Sequence, residues 1–300
     1  MPDLREIKTR IKSIRDTRQI TNAMYMISSS KVRKARASLE NTVPYFEALG
    51  DAIASILRRI PDIENVYFHN LNKKYNDVER RGYIIITADK GLAGAYNLNV
   101  LKSVTAHLSD NVKSKLYVVG EVGRRFFQNK GADIAEDFNF SANDPTLSRA
   151  RRITEYVVDL YERGKLDEIY IIYTRLEGAV CETVMEKLLP LHRYTFKTLN
   201  EEVFANEGEM QFYPSADSVI STIVPNYLAG YVYGALIESF CSEQNSRMTA
   251  MQGANETANE MLHSLAVEYN RARQTAITQE INEIMGGAKL LRVKNKEGQI

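Results

Sequence analysis

The residues best placed to do chemistry lie in "TADKGLAGAYN", residues 87–97, where an aspartate, a lysine and two glycines follow the β-rich run "GYIIITAD". A glycine turn between a strand and a helix is where backbone N–H groups cradle a phosphate. The pattern here is neither G-x-x-x-x-G-K-[ST] nor G-x-G-x-x-G, and Lys90 precedes the first glycine instead of following the last. The segment therefore reads as a tight strand-to-helix turn built on Gly91 and Gly94, with nucleotide binding as the competing use. His69, His107, His192 and His263 show no ligand spacing. Cys181 and Cys241 are far apart and form no C-x-x-C pattern, which argues against a thiolate metal site or a disulfide framework and suits a reducing compartment. There is no G-x-S-x-G motif, and no carboxylate pair stands out as general acid and base. The sequence offers no visible reaction centre, metal site or cofactor site.

Charge is local, not global. Lys plus Arg number 39 against 38 Asp plus Glu, so nothing in the whole-chain balance demands nucleic acid or an anionic membrane. Residues 1–38 differ: ten basic and three acidic side chains give a local charge of +7, ending in "SSSKVRKARASL" with Lys31, Arg33, Lys34 and Arg36. A solvated helix face is one reading of this stretch, and a collar that meets acidic protein loops is another. A nucleic-acid-binding arm is a third, but no aromatic residues interleave with the charges as a stacking surface needs.

These side chains must be positioned by elements that periodicity makes legible. Leu4, Ile7, Ile11 and Ile14 step by three and four, and the register resumes through Val32, Ala35, Leu39, Val43, Phe46, Leu49, Ile53, Leu57 and Ile60. Between them Ile20, Ala23, Met24 and Ile27 form a shifted patch, read as a stutter in the seam. The expectation is an N-terminal coiled-coil helix over residues 1–60, kinked or broken at Pro44. The methionines Met24, Met26, Met248 and Met251 are expected as core filler. At the other end Met248, Met251, Asn255, Ala258, Leu262, Leu265, Tyr269, Ala272 and Ala276 keep a four-heptad seam, and the stripe then moves by one residue to Ile277, Ile281, Ile284, Ala288 and Leu291. This is the C-terminal coiled-coil helix, residues 212–291, followed by a tail, 292–300.

Between them, "GYIIITAD", "KLYVVG" and "DEIYIIYT" alternate with helix-like sequence, and "AVCETVMEKLLPL" adds an antiparallel edge strand. Asp144 is read as an N-cap with Pro145 at the first helical position, and Gly164 as a helix stop. The fold class is thus α/β plus a long antiparallel coiled coil: terminal helices paired as a hairpin, with a central layered α/β domain over about 75–205. A first rod of about 57 residues would reach roughly 85 Å and a last one of about 75 roughly 110 Å. The last helix should outrun its partner, leaving "ITQEINEIMGGAKLL" with an uncovered apolar stripe and two glycines, each costing about 1 kcal/mol of helix stability relative to alanine. No stretch approaches the roughly 18–20 apolar residues of a membrane span, and the start, charged from Asp3, has no signal-peptide core.

Taken together, "IKTRIKSIRDTRQITNAMYMISSSKVRKA", "TADKGLAGAYNLNV" and "SEQNSRMTAMQGANETANEMLHSLAVEYNRARQTAITQEINEIMGGAKLL" resemble the gamma-subunit family of the rotary F-type ATP synthase over nearly the whole chain. The resemblance implies a Rossmann-like central domain and a non-catalytic rotor shaft. In that family the hairpin stands inside a hexamer of three alpha and three beta subunits, the α/β domain rests with the epsilon subunit on the membrane c-ring, and rotation couples ion flow to ATP synthesis or hydrolysis on beta. It implies one copy per complex, no cofactor, no nucleic acid, membrane association only through the complex, and a peripheral place on the cytoplasmic side of the bacterial cell membrane.

Position by position, the resemblance puts Met24 and Arg247 near an acidic beta-subunit loop. It puts Gln274, Thr278 and Glu280 at a beta-subunit catch loop, and Lys31, Arg33 and Lys34 in the basic segment facing alpha and beta. Ile284, Gly286 and Gly287 fall in the tip that would turn inside an apolar collar, and Phe212 and Tyr213 near epsilon and the c-ring. Ala93 stands where many relatives carry cysteine, and the paired-cysteine insertion of the chloroplast form is absent, so thiol regulation is not expected. A soluble nucleotide-dependent enzyme and a coiled-coil nucleic-acid-binding arm remain the rival readings.

Overall fold

The structure is a computed structural model that describes residues 4–68, 80–108, 113–177, 180–197 and 211–297. His69 and the tail beyond Glu297 lie outside the described residues, as do the side chains from Lys289 onward. The chain divides into two compact units, one of Met1–Ile27 with Thr249–Ile300 and one of Ser28–Met248. The helices α1 (Leu4–Glu40) and α7 (Ala216–Glu297) belong in part to each.

The unit of residues 28–248 is a three-layer α/β fold. Its sheet has the order β2-β1-β3-β4, with β1 (Arg80–Ile86) parallel to β2 (Lys113–Val119) and to β3 (Glu168–Glu177), and β4 (Val180–Leu189) antiparallel at the edge. Strand side chains alternate between faces. Tyr83, Ile85, Leu116, Val118 and Ile172 pack under α3 (Tyr96–His107) and α4 (Glu121–Asn129) through Val100, Val104 and Phe127. Ile84, Ile86, Tyr117, Val119, Ile171 and Tyr173 join the opposite core with Ile153 and Val157 of α5 (Leu147–Glu162), Ile53 and Leu57 of α2 (Val43–Arg59), and Val224, Leu228 and Phe240 of α7. A central sheet covered on both faces must be apolar on both, and this is why its strands read as unbroken runs of Ile, Val and Tyr. The short α6 (Arg193–Lys197) is tied in by the Arg193 guanidinium, which donates to the carbonyls of Pro61 and Ile63.

Two local expectations change in this unit. The rod over residues 1–60 is broken beside Pro44, as expected, into two helices interrupted at Asn41–Thr42, with Pro44 in the first turn of α2 where its missing N–H costs nothing. The α2 residues Ile53, Ala54, Ile56 and Leu57 are buried in the α/β core and continue no coiled coil. Asp144 does not cap α5. Its φ of 46° is left-handed, whereas an N-cap needs an extended backbone, and Thr146 supplies it at φ −128° and ψ 151° while its hydroxyl accepts from the Arg149 N–H. Gly164 does end α5: at φ 64° its N–H reaches the Tyr161 carbonyl and the next N–H reaches Leu160, the paired bonds of a Schellman stop.

In the other unit α1 and α7 run antiparallel, as Arg18 to Asn259 (2.7 Å) and Thr21 to Asn255 fix. On α7 every position of the expected seam, from Met251 to Ala276, is less exposed than its neighbours, with Met251 and Ala258 buried. On α1 the heptad does not stutter. The shielded positions run Leu4, Ile7, Ile11, Ile14, Thr21, Met24, Tyr25 and Ser28, with Arg18 bonded across the step between. The apolar patch taken for a shifted seam mostly faces outward: Ile20 is 61% exposed and Ile27 57%, as is Met26 at 62%, which is therefore not core. Polar partners opposite one another hold the register where apolar packing would be ambiguous.

α7 also contains an 18-residue window with a mean hydropathy of 1.2, long and apolar enough by composition to cross a bilayer, contrary to expectation. More than half of that window is buried inside the protein.

Candidate interaction site

Beside the turn after β1, the head of α4 is closed to an anion by the chain's own groups. The N–H groups at the head of α4 all have protein acceptors: Gly120 donates to Phe140, Glu121 to Asp89 Oδ1 (3.3 Å), Val122 to Ala88 and Gly123 to Thr87 Oγ1 (3.0 Å). The Ala88 N–H is taken by Asn97 Oδ1 (3.0 Å). Asp89 thus fills the place an anion would take at a helix N-terminus, and Gly94, at φ 54°, makes the turn. Among the described residues no group of His, Cys, Asp and Glu could hold a metal ion. Cys181 and Cys241 are free, and burial pushes the Cys241 thiol up against the pull of the Arg36 guanidinium.

What the structure offers to a partner is helix surface. From Ile277 to Ala288 every side chain of α7 is exposed, including Ile277 (48%), Ile281 (50%), Ile284 (71%) and Met285 (56%). A stripe of this kind on an unpaired helix is unusual in a molecule that works alone. Gln274, Thr278 and Glu280 stand exposed at its start, where Arg271, Gln274, Thr275, Thr278 and Asn282 line a shallow groove. Gly286 and Gly287 sit in the helical stripe, and a methyl group added at either meets no other atom within 4 Å.

The remaining expected contact residues divide. Arg33 and Lys34 are exposed and Met24 is half-buried on α1. Lys31 is half-buried: its ammonium donates to Asn143 Oδ1 (3.1 Å), pairs with Asp144 and lies 5.7 Å from the Phe240 ring centre. Arg247 is buried, forked between Glu243 (2.6 Å) and the Gly91 carbonyl (3.0 Å). Burial pushes the Glu243 carboxyl above its ordinary value despite that partner. Arg247 is therefore committed inside the chain, because a buried charge without acceptors is far costlier than one with them, whereas Lys31 stays a third exposed beside its partners. Phe212 packs against the core beside the start of α7, whereas Tyr213 is 93% exposed. Ile20 and Ile27 face outward although their spacing alone is that of a seam, and Met26 faces outward with them.

Comparison with known proteins agrees with this architecture. A family model described as ATP synthase matches residues 3–291. The ATP synthase gamma chain of Ruminiclostridium cellulolyticum is 43% identical over 295 residues, covering 96% of this chain and 99% of the relative. The gamma chain of Acetobacterium woodii, described as sodium ion specific, is 38% identical over 303 residues at 96% and 99% coverage. Among solved structures, the central stalk and c-ring structure of the Tetrahymena thermophila mitochondrial ATP synthase contains a chain of 25% identity and TM-score 0.57, covering 78% of this chain and 99% of that one. A chain of the Euglena gracilis mitochondrial ATP synthase shares the fold at TM-score 0.65 and 18% identity, covering 98% and 96%. The similarity runs unbroken through both terminal helices and the sheet between them, so the chain belongs to the ATP synthase family, among its gamma chains.

Proposed function

We infer that this chain is the central rotor shaft of an F-type ATP synthase, a non-catalytic subunit that turns inside a hexamer of three alpha and three beta subunits and joins it, with epsilon, to the c-ring. The observation that carries the reading is the uncovered stripe from Ile277 to Met285 on a helix whose preceding four heptads are all paired. A surface that is shielded in one stretch and bare in the next is built to be enclosed by something other than its own hairpin partner.

A shaft changes the state of three surrounding sites only by touching them unequally, since an equilibrium moves only through differential interaction. A two-helix rod presents such unequal faces: Ile20, Met26 and Ile27 lie on α1, and Met261 and Val267 on α7. Gln274, Thr278 and Glu280 are the polar group offered to a beta-subunit loop, Arg33 and Lys34 the exposed cations offered to acidic loops, and Met24 the half-buried residue between. Ile284, Gly286 and Gly287 turn in a collar where small residues keep knobs from seating in holes. Tyr213, with Phe212 behind it, faces epsilon and the ring. The complex holds this subunit on the cytoplasmic face of the membrane, which the chain reaches only through its partners.

Co-expression with alpha and beta subunits tests the assignment. One copy of this chain in an assembly of three alpha and three beta is expected; equal copy numbers, or a chain that stays outside the assembly, would refute it.

A further inference from the structure

Lys31 and Arg247 are the last charged anchors of α1 and α7 inside the unit of residues 28–248. Each holds a different loop at the carboxyl end of the sheet. Lys31 holds the loop 141–144 through Asn143, and Arg247 holds the turn after β1 through the Gly91 carbonyl. The two loops are 50 residues apart in sequence, and one carboxylate joins them. Asp89 Oδ1 accepts from the N–H groups of Glu121 (3.3 Å) and Ala142 (3.2 Å), while Oδ2 accepts from Ser141 Oγ (2.5 Å) and the Asn143 N–H (3.0 Å). Arg149 stiffens the same loop from α5 by donating to the carbonyls of Ser141 (3.1 Å), Asn143 (2.6 Å) and Asp144 (3.3 Å).

We propose that Asp89 is a positioning residue for torque transfer: its carboxylate locks together the two loops by which the α/β domain grips α1 at Lys31 and α7 at Arg247. The proposal rests on the rotor reading above. Beyond the core packing and the Ser239 and Ser242 bonds to β3, a helix end gripped by a charged side chain twists only if the gripping loop moves. Asp89 makes both loops one body with the head of α4. Core packing, and for α7 the Ser239 and Ser242 hydrogen bonds to Thr174, still hold the helices. With that carboxylate gone, Ser141 and the N–H groups of Glu121, Ala142 and Asn143 lose a common acceptor, and the added grip at Lys31 and at Arg247 comes from loops free to shift separately.

The test uses the whole ATP synthase, immobilised through its beta subunits and stalled with a non-hydrolysable nucleotide, with a rod attached to the α/β domain of this chain. The angular variance of the rod reports torsional stiffness in assembled complexes only. Asp89→Ala is expected to raise that variance by about twofold or more, and Asp89→Asn, which keeps acceptor capacity on one oxygen, by less. Lys31→Met, which cuts one tether, should also raise it, and should add less on top of Asp89→Ala than it does alone, since both act through the loop 141–144. ATP hydrolysis per assembled complex should stay near wild type in Asp89→Ala and Asp89→Asn. If Asp89→Ala does not assemble, Asp89→Asn and Lys31→Met carry the same readout. Unchanged variance in these variants, or full additivity of the two sites, overturns the proposal while leaving the rotor reading intact. A wild-type complex in which ATP drives no rotation of this chain overturns the rotor reading itself.

Discussion

Two glycines four residues apart on α7, Gly230 and Gly234, make opposite demands on the same substitution. At Gly230 a Cβ would lie 2.1 Å from Cδ1 and 2.2 Å from Cγ of the Phe46 ring, while at Gly234 it would meet nothing within 4 Å. Replacing a mid-helix glycine by alanine stabilises a helix by about 1 kcal/mol, and Gly234→Ala should gain that amount. Gly230→Ala earns the same helical gain, but carbon atoms pack no closer than about 3.5 Å, so the Phe46 ring must withdraw by more than an ångström. Overpacking of this kind costs about 1–3 kcal/mol. The ring sits at the start of α2, just after Pro44, where the backbone has little freedom to yield.

The two variants should therefore differ by about 2 kcal/mol in opposite directions from wild type. The chain has no tryptophan, so urea unfolding followed by far-ultraviolet circular dichroism and tyrosine fluorescence is the natural assay. In a Phe46→Ala background the sign at Gly230 should reverse, because the methyl then fills part of the vacated space. Gly230→Ala equal to or more stable than Gly234→Ala would refute the packing argument.

At the tip, Gly286→Ala with Gly287→Ala should raise the helicity of the isolated chain by about 1 kcal/mol per site, read by circular dichroism. Leucine at both positions should do likewise in isolation but slow single-molecule rotation in the complex, and unchanged rate and torque would rule out the collar. In the sheet, Glu168 is almost wholly buried; burial pushes its carboxyl up, but the hydrogen bonds from Lys187 (2.6 Å), Tyr170 (3.0 Å) and Arg81 (2.9 Å) outweigh this and hold it below its ordinary value. A lowered folded value means stabilisation that is present above the unfolded carboxylate range, near pH 4.3, and lost as pH falls through the folded one. Glu168→Gln should cost about 3 kcal/mol at neutral pH and flatten the acid limb of the stability profile, and parallel profiles for the two proteins from pH 7 to pH 3 would contradict the network.

The sequence by itself determined the elements whose side chains repeat. The α7 seam from Met248 to Ala276 and the runs that became β1, β2, β3 and β4 were legible because burial selects apolar residues at the period of the backbone, and the edge strand was legible with them. The bare tip after Ala276 was legible as well, although the reason differed. With Arg18 opposite Asn259, the start of α1 at Leu4 falls opposite about residue 273, so α7 runs on alone whatever the length of α1 at its other end, which is Glu40 and not near residue 60.

Tertiary structure alone decided which face of α1 is inside between Arg18 and Ser28. There the shielded positions include Thr21, satisfied by Asn255, while isoleucines at helical spacing point out. It alone decided the partners of Lys31 and Arg247, since their acceptors, Asn143 and Gly91, lie 112 and 156 residues away. Periodicity records how a side chain sits on its own helix. The partner of a charge or hydroxyl is set by which distant loop the fold delivers beside it, and no local pattern carries that.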